Sequence, residues 1–99
     1  MWSLRLVARV PPDKRLEFTQ SVQSLLRGKE SHFRRTLVLQ DVDDRSVFCW
    51  MADGEEAGGL ESFMDSPTFR ALKGAAEVLG TIEELQVLQG DSLAGIKES

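Results

Sequence analysis

The chain has 99 residues, enough for one domain that buries roughly two-thirds of the surface its unfolded form exposes. Its 41% hydrophobic and 28% charged residues are those of an ordinary globular protein, and a net charge of −4 argues against the cationic face that a nucleic acid requires. A single cysteine, Cys49, excludes an internal disulfide and fits a reducing cytoplasm. No apolar run approaches the ~20 residues that span a bilayer, and no secretion signal stands at Met1, so the expectation is a cytoplasmic protein with no membrane partner.

Trp2 to Val10, "WSLRLVARV", alternates apolar and polar residues and predicts a half-buried strand. Pro11 and Pro12 end it, and Pro12-Asp13 suits the first turn of a helix. Phe18, Val22, Leu25 and Leu26 form one helical stripe, closed by Gly28. Phe33 to Asp41 and Arg45 to Ala52 read as two strands around the polar turn "DVDDRS". Leu60, Phe63 and Met64 begin a second helix, which Ser66-Pro67 restarts. Phe69, Leu72, Ala75, Ala76 and Leu79 then carry the stripe to Gly80. Thr81 to Gln89 is a fourth strand. The domain is expected over 1–90, with a polar tail over 91–99.

Strand, helix, strand, strand, helix, strand is the α+β order of the ferredoxin-like plait, an antiparallel sheet with its helices on one face. Apolar residues nevertheless occupy both faces of the hairpin. A turn centred on Asp43-Asp44 would pair Leu39 with Phe48 and Leu37 with Trp50, leaving Val38, Val47, Cys49 and Met51 on the uncovered side. A second copy laid sheet against sheet is the expected cover, so a homodimer is the expected partner.

The segments "FCWMADGEEAGGLESFMDSPTFRAL" and "KGAAEVLGTIEELQVLQG", in this element order, resemble the antibiotic biosynthesis monooxygenase family of the dimeric α/β-barrel superfamily. The resemblance implies a ligand pocket between sheet and helices and a homodimer. It also implies cofactor-free oxygenation of a small aromatic or quinol-like substrate, with no cofactor held by the protein. The haem-degrading branch pairs a first-strand asparagine with a histidine on the second helix; this chain has no asparagine and no histidine in that helix. Of the aromatic-substrate branch's tyrosine, asparagine and tryptophan, only the tryptophan, at Trp50, has a counterpart.

From the residues themselves, Trp50, Phe63 and Phe69 are candidates for the wall of a pocket for a small apolar or aromatic ligand. Arg35, on the Trp50 face under the expected register, is a candidate anchor for an anionic group; the alternative is that it pairs with Asp53 or Glu55. His32, the only histidine, falls at a strand entrance, facing away from Trp50. Glu55-Glu56 lacks the further ligands a metal needs, and the aspartates of the turn lack the glycine and distal glutamate of a calcium loop, so no metal site is expected. No catalytic residue can be assigned. A non-catalytic dimeric binding module of the same fold is the competing expectation.

Overall fold

The computed structural model describes residues 1–28, 33–55 and 57–90; His32 and the tail over 91–99 lie outside them. Strand β1 (Trp2–Arg9) leads through a short 3-10 turn at Pro12–Lys14 into helix α1 (Arg15–Leu26). Strands β2 (Arg35–Gln40) and β3 (Val47–Gly54) follow, then helices α2 (Ala57–Met64) and α3 (Pro67–Leu79), and finally β4 (Thr81–Gln89). The sheet runs β2-β3-β1-β4 with every neighbouring pair antiparallel, which is the expected α+β, ferredoxin-like plait.

The period-two pattern of β1 works as expected. Trp2, Leu4, Leu6 and Ala8 are buried beneath the helices, while Ser3, Arg5 and Val7 lie half-buried on the other face. Phe18, Val22 and Leu26 of α1, and Phe69, Leu72 and Ala76 of α3, press onto that buried row. Between Val7 and Ala8 the pairing with β4 slips by one residue, and Glu83 is the residue left over. Arg9 Nε meets Glu83 at 3.1 Å beside this irregularity.

The hairpin register departs from expectation by one residue. Gln40 pairs with Phe48, Val38 with Trp50 and Leu37 with Met51. The cause is a loop of odd length. The Asp41 carboxylate accepts the Asp43 and Asp44 amides at 2.8 and 3.0 Å, and Asp41 N still donates to Val47 O at 2.9 Å. Val47 N closes the turn on Asp44 O at 3.0 Å. The turn is therefore centred on Asp44, and every side chain of β2 exchanges faces relative to the expected register.

Two corrections follow. Thr36 and Val38 share the Trp50 face, whereas Arg35, Leu37 and Leu39 point to the uncovered face with Val47, Cys49, Met51 and Asp53. The expected open-face set keeps Val47, Cys49 and Met51, loses Val38, and gains Leu37 and Leu39.

Candidate functional site

Beneath α2 and α3 the aromatic side chains form a continuous stack. Ser66 caps α3: its hydroxyl accepts the Phe69 amide at 3.2 Å and donates to the Phe63 carbonyl. One hydroxyl thus joins the end of α2 to the start of α3 and holds the Phe63 and Phe69 rings 5.5 Å apart. Phe63 lies 5.8 Å from Trp50, and Phe33 stands edge-on to Phe63 at 4.9 Å and to Trp50 at 6.4 Å. Trp2 closes the row 6.2 Å from Phe33, with its indole across Gly54, where a Cβ would collide with the ring.

The structure therefore brings three of the four sequence-selected residues together, Trp50, Phe63 and Phe69. They pack against one another rather than around an opening; Trp50 is 2% exposed and Phe69 4%. Arg35 is the exception. The corrected register puts it on the opposite face, where its Nε and Nη2 hold the Asp53 carboxylate at 3.1 and 2.9 Å. Asp53 is the buried charge of this face, so the pairing offsets its desolvation. Arg34 meets Glu55 at 3.1 Å.

The open space lies on the other side of the core. A groove of about 720 Å³ runs between α1 and the edge strand β2, within the size range of small-molecule sites. Val22 and Leu26 of α1 form one wall, Val38 and Phe48 the floor. Thr19, Gln23 and Gln40 supply polar groups, and Arg27 is the charged side chain of the lining. The Gln40 amide nitrogen donates to Arg45 O at 2.7 Å, leaving its oxygen for a ligand. Thr36 links groove and stack: its hydroxyl accepts Trp50 Nε1 at 3.0 Å, satisfying the indole of the buried tryptophan.

Arg27 owes its position to the end of α1. It has left helical geometry (φ −61°, ψ 129°), its amide reaches back to Ser24 O at 3.3 Å, and Gly28 then takes φ 79°, a left-handed value that favours glycine. Nothing in the sequence separates Arg27 from the other exposed arginines. Only the fold does.

A second, smaller cleft of about 520 Å³ lies at the far end of the sheet, lined in part by Arg9, Lys14, Ser46 and Gly80. Its arginine is already engaged, with Asp44 at 2.6 Å, Ser46 at 2.8 Å and Glu83 at 3.1 Å. Hydrogen bonds from Ser46, and then Arg9, lower the Asp44 pKa to about 2, and these two carboxylates raise that of Arg9. Among the described residues no three His, Cys, Asp or Glu side chains gather to hold a metal, and no helix is long and apolar enough to cross a membrane.

No protein-family model matches the chain, and no curated protein matches it by sequence. Solved structures match closely in shape. A conserved protein from Bacteroides thetaiotaomicron gives a TM-score of 0.76 at 18% identity, covering 90% of this chain and 96% of that one. A structure named antibiotic biosynthesis monooxygenase gives 0.72 at 12% identity, covering 93% and 98%. SnoaB, a cofactor-independent oxygenase from Streptomyces nogalater, gives 0.70 at 14% identity, covering 94% and 96%. The chain has the fold of antibiotic biosynthesis monooxygenases, and at these identities the likeness is one of fold.

Proposed function

We propose that this chain is a cofactor-independent monooxygenase of the antibiotic biosynthesis type, acting on a small aromatic or quinol-like substrate bound in the α1/β2 groove. The observation that carries the reading is the shared fold with SnoaB over nearly the whole of both chains, joined to a groove with an apolar floor and a polar rim. In such chemistry the substrate supplies the electrons. Its deprotonated ring carbon reduces dioxygen, the two combine as a peroxide, and loss of water leaves a carbonyl with one oxygen atom incorporated. The protein is asked to orient the ring, exclude water and stabilise charge, tasks that need few titratable groups. Trp50 backs the groove through Thr36, which is the polar group between it and the ligand, and Phe63 and Phe69 brace Trp50 from the far side.

The working unit in this proposal is a cytoplasmic homodimer. Leu37, Leu39, Val47, Cys49 and Met51 leave an apolar strip on the uncovered face, with Leu39 47% exposed, and a second copy of the same face would bury it. Light scattering at micromolar concentration is expected to give twice the chain mass; a stable monomer would remove this part of the proposal.

A non-catalytic binding module of the same fold is favoured by one observation, that the charged side chain of the groove lining is an arginine, which cannot serve as a base. An oxygen electrode separates the two readings. Hydroquinones and anthrone-like phenols are offered with no metal or flavin, to the native chain and to Gln23→Trp, an exposed substitution that fills the groove. Saturable uptake lost in the variant supports the oxygenase. Saturable binding without uptake supports the module.

A further inference from the structure

The geometry points to Arg27 and Thr36 as a paired anchor for an anionic substituent, so that the groove selects a flat apolar ring carrying one carboxylate or phenolate. The inference rests on the groove being the ligand site, as proposed above, and not on oxygen chemistry taking place there.

Three observations carry it. The first is sign: the chain bears a net charge of −4, yet the charged side chain of this groove is a cation. An anion approaching the groove meets local attraction although the net charge of the chain repels it. The second is position. α1 descends and β2 ascends, with Gly28 turning the chain just past Arg27, so the C-terminal end of α1 lies beside the first residues of β2. Arg27 and Thr36 therefore stand at the same end of the groove, and Thr19 and Gln40 at the other. The third is the state of the Thr36 hydroxyl. Because its oxygen accepts Trp50 Nε1 at 3.0 Å, the hydroxyl keeps its own proton for donation to a second partner. A hydroxyl donor and a guanidinium at the same end of one groove fit one oxyanion, while Val22, Leu26, Val38 and Phe48 accommodate the ring.

The alternative cation, Arg35, carries none of this, because it faces away and is held by Asp53. Arg27 and Gln23 are exposed, so their substitution leaves the core intact, whereas Thr36→Val also removes the acceptor of the Trp50 indole and is read only against an unchanged naphthamide affinity.

Calorimetric titration under nitrogen with 2-naphthoate and its neutral counterpart 2-naphthamide tests the anchor. Arg27→Ala is expected to weaken naphthoate by about 10–100-fold, the range for a lost charge-assisted hydrogen bond, and naphthamide by less than about twofold. Arg27→Lys should recover part of the loss, Thr36→Val should weaken naphthoate alone, and Arg35→Ala should change neither. Equal losses of both ligands in Arg27→Ala would overturn the anchor, as would a naphthoate loss in Arg35→Ala. So would the absence of saturable binding to the native chain, or undiminished binding of both ligands to Gln23→Trp. Since no turnover is needed, charge-selective binding without oxygen uptake would uphold the anchor and remove only the oxygenase reading.

Discussion

The two halves of the covered sheet face share a backbone plan and differ in filling. Under α2 and α3 the rings of Trp2, Phe33, Trp50, Phe63 and Phe69 meet edge to face or tilted and exclude space. Under α1 a single ring pair, Phe18 and Phe48 at 5.4 Å, is accompanied by valine and leucine, and a groove remains along β2. Aromatic side chains reach far enough from a strand to fill the gap beneath a helix; aliphatic ones at the sheet edge do not. The difference teaches that the half richest in rings is the support, and the plainer half offers the site.

The sharpest way to break this comparison is to remove a ring from the support. Phe63→Ala should cost about 3–5 kcal/mol, because Phe63 touches Phe33, Trp50 and Phe69 at once and is 8% exposed. Val38→Ala, on the groove floor, should cost only about 1 kcal/mol, since the site already borders open space. Urea denaturation of the two variants measures both, and equal costs would show that the halves are filled alike.

Gly54→Ala comes next. Its new methyl group would enter the space of the Trp2 indole, so a destabilisation of about 1–3 kcal/mol is expected, with an altered near-ultraviolet tryptophan dichroism. Retained dichroism would mean that the indole does not lie against this glycine. Ser66→Ala should cost about 1 kcal/mol by unlinking α2 from α3, readable as a lowered melting temperature and faster hydrogen exchange at the Phe69 amide.

The smallest effect is outside both halves, at Asp44. Its folded pKa, about 2, lies below the ordinary carboxylate value near 4, so its contribution is present above that unfolded value and is lost as pH falls through the folded one. The melting temperature of the native chain should therefore drop further between pH 4.5 and 2 than that of Asp44→Asn. Parallel curves would show that the Ser46 and Arg9 bonds to this exposed carboxylate hold nothing in place.

Much of the fold was legible because periodicity survives burial. The alternation in β1, the stripe of α1 and the Ser66-Pro67 restart are local patterns, and each fell where its spacing placed it. The groove was not legible, since it depends on register, and register turned on the Asp41 side chain claiming two amides in the loop. With the turn held by those two bonds, Arg35 lies on the far face and Thr36 under Trp50. Phe33 was readable as an apolar strand residue but not as the ring joining Trp2 to Phe63, because Arg34 bends the chain between Phe33 and β2. Arg27 carried no signal beyond its charge.

The odd loop between Asp41 and Val47 also limits how such a chain can diverge. Inserting or deleting one residue there would exchange the wet and dry sides of β2, exposing Val38 and pushing Arg35 beneath the helices, unless a bulge elsewhere restored the phase. Changes of two residues keep the phase. Natural variation in this turn is thus expected to proceed in even steps, making its length, more than its composition, the inherited quantity.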